Sequence, residues 1–151
     1  MCGWGGSVHA IEGVRSFAGN DELDRFLGET RVLINTLPLT DSTRDLIDYS
    51  LLSRLKPDAV VINVGRGEHL VDEDLCRAIN EGWVARAVLD VFREEPLPTT
   101  HPFWRMPQVS ITPHVSARTL REATIAQIAD KIASLEQGQA ISGVIDINRG
   151  Y

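Results

Sequence analysis

Short apolar runs rich in β-branched residues recur along the chain, and the segments between them place their apolar residues at helical spacing. RVLIN (31–35), AVVINV (59–64), VARAVLDV (84–91) and VSIT (109–112) read as strands. Polar residues barely interrupt them, which predicts a parallel sheet covered on both faces. Helices are predicted over 22–28, 49–55 and 73–81, where Asp21, Asp48 and Asp72 each offer a side-chain oxygen to the free N–H groups of a first turn, and Gly82 ends the third. Strand and helix alternate as in βαβ units. From Arg93 to Pro107 four prolines predict an irregular loop, packed by Phe103 and Trp104. One long helix closes the pattern: Thr119 and Glu122 fit a capping box, Ile125, Ile128, Ile132 and Leu135 form one apolar face, and Gly138 is placed to stop it.

Composition narrows the classes. A chain of 151 residues with 43% hydrophobic content can bury one core without a metal or a disulfide. Its net charge of −6, with no cluster of Lys and Arg, excludes a nucleic-acid partner. Cys2 and Cys76 lie far apart, and neither has His or Cys at ligand spacing, so neither a disulfide framework nor a zinc site is expected. A reducing compartment fits that usage. No leader pattern and no run long enough to span a bilayer is found, so the expectation is a soluble, cytoplasmic protein with no membrane partner.

The ionisable residues then change the picture. Arg66, between Gly65 and Gly67, follows the strand ending near Val64; Asp90 and Glu95 end or follow the strand through Leu89; His114 lies two residues past Thr112. In an open parallel sheet the carboxyl ends of the strands share one edge, and ligands bind in the crevice there. A histidine beside a carboxylate can pass a proton to a carbonyl oxygen, and arginine supplies a planar fork for a carboxylate. An Arg/Glu/His site of this kind suits reduction of a 2-oxo acid. Each residue alone also has a plainer reading. Gly-Arg-Gly can be an ordinary turn using φ > 0, a histidine after proline can simply pack, and Glu94 would serve as well as Glu95 on spacing. Asp90, in an apolar strand, needs a partner. Phe103 and Trp104 read as core, His69 and His101 as surface or turn residues.

From about Val14 to Tyr151 the chain resembles the D-isomer-specific 2-hydroxyacid dehydrogenases, and within them the glyoxylate/hydroxypyruvate reductase branch. SFAG, TRVLINTLPLTDST, INVGRGEHLVDEDL, AVLDVFREEPLP, HPFW, ITPHVSA and the closing RGY carry the resemblance, in the family's order. It implies an α/β fold over 1–117: a partial doubly wound parallel-sheet (Rossmann-type) NAD(P)-binding domain that lacks the first strand and the glycine-rich turn. A long helix over 118–137 and a tail over 138–151 would follow, the tail packing on a substrate domain absent from this chain. It implies that Arg66 holds the substrate carboxylate and carbonyl, that His114 is the acid/base, and that Glu95 pairs with His114 and keeps it protonated. Leu37, Pro38 and Thr43 would border the adenosine half of the cofactor, NADPH or NADH, with Gly65, Arg66 and Asp90 near the nicotinamide. The glycines beside Arg66 would let the backbone approach cofactor and substrate.

The departures are as specific. Family members are about twice as long, and their cofactor domain opens with a strand and a G-x-G-x-x-G turn that holds the pyrophosphate at a helix N-terminus. GWGG (3–6) falls instead at the end of the family's second strand, where close members carry Ser-Arg after the tryptophan and bind the 2′-phosphate of NADP; here Gly5 and Gly6 follow Trp4. The expectation is therefore the C-terminal half of a reductase of small 2-oxo acids such as glyoxylate or hydroxypyruvate, working as a homodimer or with a complementing chain. The alternative is an inactive remnant or a nucleotide-binding regulatory module. Formate chemistry fits less well, because the family uses Gln there in place of the glutamate.

Overall fold

Two short strands that the apolar pattern does not predict open the chain: Cys2–Gly5 (β1) and Arg15–Ala18 (β2), paired in parallel with Cys2 opposite Arg15 and Gly5 opposite Ala18. They belong to a computed structural model that describes residues 1–117 and 119–145. Its two compact units are Met1–His114 and Val115–Tyr151.

The apolar runs of the first unit become Val32–Asn35 (β3), Ala59–Asn63 (β4), Val84–Leu89 (β5) and Val109–Ile111 (β6), a four-stranded parallel sheet in the order β3-β4-β5-β6. Leu33 lies opposite Val61 and Val61 opposite Ala87, so one face of the sheet is a continuous apolar layer. With Leu27, Leu52, Leu75, Ala78 and Phe103 it forms the core. The other face is not closed. Burial alternates along β4, and on β3 Val32 and Ile34 are 50% and 57% exposed. The expectation of cover on both faces therefore fails, although β3 and β4 carry only Val and Ile on the open face, which Arg86 and Ser110 interrupt on β5 and β6. Between the two sheets β1 and β3 face a cavity of about 500 Å³, lined by Trp4, Phe26, Val32, Ile34 and Leu46 among others.

The helices differ from the pattern mainly at their starts. Leu23–Glu29 (α1) has Glu22 at its N-cap with no side-chain cap, because Asn20–Glu22 tightens into a 3-10 turn that carries Asp21 out of capping position. Glu22 instead accepts the N–H of Ala18 at 2.8 Å. Tyr49–Leu52 (α2) is capped as expected, with Asp48 accepting the N–H of Leu51 at 2.7 Å, but stops short of 55 as the chain nears Pro57. Asp72–Asn80 (α3) begins with Asp72 inside its first turn and Val71 uncapped before it. The Asp72 carboxylate turns to His101 instead, 3.3 Å from Nε2. Gly82, at φ 81°, ends this helix: its N–H reaches Ile79 and that of Trp83 reaches Ala78, a Schellman closure. In the proline-rich loop the 3-10 turn Pro102–Arg105 buries Phe103 and leaves Trp104 53% exposed, with its Nε1 donating to the Pro98 carbonyl. A turn this short can drive only one of two consecutive rings inward, so Trp104 is not core.

In the second unit Arg121–Glu136 (α4) is one helix with Leu120 at its N-cap and no side-chain cap, so the Thr119 capping box does not form. Gly138, at φ 69°, and Gln139 close it through Leu135 and Ser134. Ile125, Ile128, Ile132 and Leu135 are each more than half exposed. The closing RGY lies outside the described residues.

Candidate active site

Each strand of the larger sheet delivers a polar residue or a turn to its carboxyl edge. Asn35 and Asn63 end β3 and β4 in register, opposite one another. Both are buried, and Asn35 Nδ2 donates to Asn63 Oδ1 at 2.9 Å. Asn63 then shapes the turn that follows it: its Oδ1 accepts the N–H of Gly65 at 3.2 Å and its Nδ2 donates to the Arg66 carbonyl at 3.0 Å. The turn ends in the 3-10 segment Gly67–His69.

Packing demands glycine on both sides of Arg66. Neither has a positive φ. A Cβ on Gly65 would lie 2.8 Å from Asn35 Nδ2 and 3.1 Å from His69 Nδ1, and one on Gly67 would lie 1.9 Å from the Phe92 carbonyl carbon. The Arg66 turn is thus clamped between the buried polar cluster and the backbone of the next loop. Its guanidinium folds back, Nη1 donating to the Gly65 carbonyl at 2.7 Å.

His69 departs most from the sequence reading. It is fully buried rather than a surface residue. Its Nδ1 lies 2.8 Å from Asn35 Nδ2 and 3.2 Å from the N–H of Arg66, and its Nε2 lies 3.2 Å from the Pro38 carbonyl. The signal was present in the sequence: VLIN and VVIN end in asparagine, two polar termini on apolar strands that need a shared partner. His101 is half-buried, as a turn residue against Asp72, whose carboxyl burial pushes above its usual range while the imidazole opposes the shift.

Beyond β5 the loop is tied back to this turn. Arg93 puts Nε and Nη2 on the Leu70 carbonyl at 2.7 and 2.6 Å and pairs with Asp45, which holds Phe92 against Gly67. The Phe92 N–H donates to Glu95 Oε1 at 2.9 Å, and Glu95 Oε2 lies 2.8 Å from His114 Nδ1. Spacing left Glu94 and Glu95 equivalent; the geometry selects Glu95. These two contacts, that of His114 first, hold the Glu95 carboxyl below the usual carboxylate range. His114 sits at φ 54°, the left-handed region, which costs a non-glycine residue about 1–3 kcal/mol and fixes the ring's direction. With Nδ1 on Glu95, Nε2 is the ring nitrogen left for another partner. A cavity of about 420 Å³ adjoins the pair, walled by Phe92, Leu97, Trp104 and Ile111. Asp90 is buried and accepts from the Thr112 hydroxyl at 2.5 Å.

The residues named for the cofactor fall on the same edge. The Leu37 N–H donates to Asn35 Oδ1 at 3.2 Å, and Thr43 Oγ1 donates to the Pro38 carbonyl at 2.8 Å while accepting the N–H of Thr40. Thr43 is therefore committed to shaping its turn. Gly65, Arg66 and Asp90 sit at the ends of β4 and β5, one strand away. Sequence and structure thus gather Glu95 and His114 directly, and Arg66 through the backbone of Phe92.

A parallel sheet of four strands in sequence order with a polar carboxyl edge, beside a second parallel pair β1-β2, follows the plan of a doubly wound dinucleotide-binding domain. The model of the D-isomer specific 2-hydroxyacid dehydrogenase NAD binding domain matches residues 6–116, and the chain belongs to that family. Glyoxylate/hydroxypyruvate reductase A of Yersinia enterocolitica is 47% identical over 148 residues, 98% of this chain and 47% of that protein. The chain thus spans about half the length of such relatives. A D-isomer specific 2-hydroxyacid dehydrogenase of Xanthobacter autotrophicus Py2, solved in complex with NADPH and MES, superposes with a TM-score of 0.93 at 37% identity, covering 99% of this chain and 62% of that one. The NADPH-dependent glyoxylate/hydroxypyruvate reductase of Sinorhizobium meliloti, solved with NADP and sulfate, gives 0.91 at 37% identity, over 99% of this chain and 49% of that one. Among the described residues no helix is long and apolar enough to cross a membrane, and no cluster of His, Cys, Asp and Glu could hold a metal ion.

Proposed function

We propose that this chain supplies the catalytic half of an NAD(P)-dependent reductase of small 2-oxo acids, such as glyoxylate or hydroxypyruvate, in the cytoplasm. The observation that carries the reading is the His114–Glu95 pair at 2.8 Å beside an apolar-walled cavity. Arg66 would hold the substrate carboxylate, its guanidinium leaving the Gly65 carbonyl to do so. His114 Nε2 would give its proton to the carbonyl oxygen as C2 is reduced, and Glu95 would hold the ring and stabilise its charged form. Glutamate at this position, where formate chemistry in the family uses Gln, favours an oxo acid.

The donor set fits the cofactor in part. Leu37, Pro38 and Thr43 would border the adenosine half, and Gly65, Arg66 and Asp90 the nicotinamide; bound there, NADPH or NADH supplies the hydride. Nothing within 4 Å would meet a side chain at Gly5, so the position after Trp4 is open and lacks the charge a 2′-phosphate would want. NADH is then the expected partner at least as well as NADPH. The domain reading follows: 1–117 as a partial dinucleotide-binding domain, 118–137 as a helix, and 138–151 as a tail that packs on a substrate domain. The cavity between β1 and β3 and the open face of β3 favour work with further polypeptide, a complementing chain or a second copy. The same observations favour the second reading, a nucleotide-binding module without turnover. The test is reduction of glyoxylate and hydroxypyruvate with NADH and NADPH by the purified chain, alone and mixed with the amino-terminal half of a relative. Turnover removed by Arg66→Ala and His114→Ala supports the reductase; nucleotide binding without turnover in both settings supports the module.

A further inference from the structure

The sequence and the function proposed above leave His69 without a task, yet its ring makes three hydrogen-bond contacts in the buried cluster of the site. Two backbone groups fix its chemistry. The N–H of Arg66, 3.2 Å from Nδ1, can only donate, so Nδ1 must present its lone pair. The Pro38 carbonyl, 3.2 Å from Nε2, can only accept, so Nε2 must carry the hydrogen. Asn35 agrees independently. Its Oδ1 takes the N–H of Leu37 at 3.2 Å, which turns its Nδ2 toward Nδ1 at 2.8 Å. Asn63 is oriented in the same way by Gly65 and the Arg66 carbonyl. Every amide and ring orientation in the cluster is thus set by a main-chain partner, and no buried side-chain nitrogen or oxygen among the described residues is without a hydrogen-bond partner of some kind.

We propose that His69, as the Nε2–H tautomer, is a positioning residue for Arg66 that couples the substrate-binding turn to the Leu37–Thr43 turn. The ring joins the two turns directly: one nitrogen holds the Arg66 amide, the other the Pro38 carbonyl, whose second partner is the Thr43 hydroxyl at 2.8 Å. The main chain of His69 adds to this, its carbonyl accepting the N–H of Ile47 at 2.8 Å. Movement of the 37–43 segment, where the cofactor's adenosine half is proposed to lie, therefore reaches the Arg66 backbone through one rigid ring. The task given to Arg66 rests on the function proposed above; the tautomer and the coupling do not.

The test separates the two. In the chain labelled with ¹⁵N-histidine, two-bond ¹H–¹⁵N spectra distinguish a lone-pair nitrogen from a protonated one at each ring position, with the His69 signals assigned by their loss in His69→Leu. The expected result is a lone-pair Nδ1 and a protonated Nε2; the opposite tautomer, or exchange between the two, overturns the proposal. Two conservative variants then divide the ring's roles. His69→Asn places an oxygen near Nδ1 and should keep hydrogen-exchange protection of the Arg66 amide while loosening Thr43. His69→Gln places its amide near Nε2 and should do the reverse. Equal loss of protection at both places in both variants would leave only a packing role. In any assembly that turns over, a displaced Arg66 should raise KM for the oxo acid, with a loss in kcat/KM on the order of 100-fold for a 1 Å misplacement. Absence of turnover with the tautomer as stated would sink the reductase reading and leave this one intact.

Discussion

Replacing Gly67 with alanine is the sharpest perturbation the site offers. The added methyl would stand 1.9 Å from the Phe92 carbonyl carbon, 2.1 Å from its oxygen and 2.4 Å from the Arg93 nitrogen, where ordinary contact begins at 3.4 Å. The closest approach is 1.5 Å too short (3.4 minus 1.9). None of these atoms belongs to a side chain that could swing away, and Arg93, anchored on the Leu70 carbonyl and paired with Asp45, opposes movement of the loop. The Arg66 turn and the Phe92–Glu95 segment must therefore separate. Overpacking typically costs about 1–3 kcal/mol, and a clash with backbone belongs at the upper end. For a chain of this size about 3 kcal/mol lowers Tm by roughly 6–12 °C. Because the Phe92 N–H also holds Glu95, the His114 ring signals should shift as well. Gly5→Ala is the control, since nothing lies within 4 Å of the added atom and it should change stability by less than about 0.5 kcal/mol. Thermal unfolding of the two variants decides: a Gly67→Ala protein as stable as Gly5→Ala, with unmoved His114 signals, would refute the clamp.

Three further outcomes follow from individual contacts. Asp48→Ala removes the acceptor for the Leu51 N–H and should cost about 1 kcal/mol, read as a Tm loss of roughly 2–4 °C; no loss would show that Asp74, which accepts the neighbouring Tyr49 N–H at 2.9 Å, suffices. The Glu95 carboxyl should titrate below 4.5 by NMR, and His114→Ala should raise its midpoint. Because the folded state lowers this value, the contribution to stability is present above pH 4.5 and is lost as pH falls through the lower folded midpoint; an unmoved midpoint in the variant would contradict the pairing. Finally, the open face of β3 should make the chain associate, and Val32→Lys with Ile34→Lys should suppress this. A parent chain that sediments as a monodisperse monomer would count against it.

The four main strands were legible because parallel strands are written as nearly unbroken runs of apolar residues, and the placing of Arg66, Glu95 and His114 on one edge was legible because strand ends in such a sheet converge. What escaped has physical reasons. CGWG and RSFA are four-residue strands without an apolar run, held by pairing to each other, so no periodicity marks them. Asp21 and Asp72 look like caps but are claimed elsewhere, by a local 3-10 turn in one case and by His101 from a distant loop in the other. His69 sits among charged neighbours in GEHLVDED, and only the register that sets Asn35 opposite Asn63 explains why an imidazole belongs inside. The packing demand on the glycines around Arg66 was also hidden. Glycine in a turn suggests φ > 0 or a bound ligand, and a backbone approaching from 25 residues away leaves no mark in the local sequence.

Strand pairing in the larger sheet sets an order of local stability. β4 and β5 are flanked by strands on both sides, and their inward residues Val61, Ala87 and Leu89 are fully buried. β3 has one paired edge, and its other edge faces the cavity that separates it from β1. Amides of β4 and β5 should therefore exchange only on global unfolding, while those of β1 and β2 exchange through a local opening that leaves the sheet intact. The Arg66 turn leaves β4 and Glu95 follows β5, so both belong to the stable side, and His114, which follows the other edge strand β6, is tied to it through Glu95. Leu37, Pro38 and Thr43 follow β3 and belong to the weak one. His69 lies between them and ties the weak side to the strong one through buried polar contacts. Whatever occupies the cavity beside β3 should therefore first slow exchange in the 37–43 segment, and reach Arg66 through the imidazole and the Asn35–Asn63 pair.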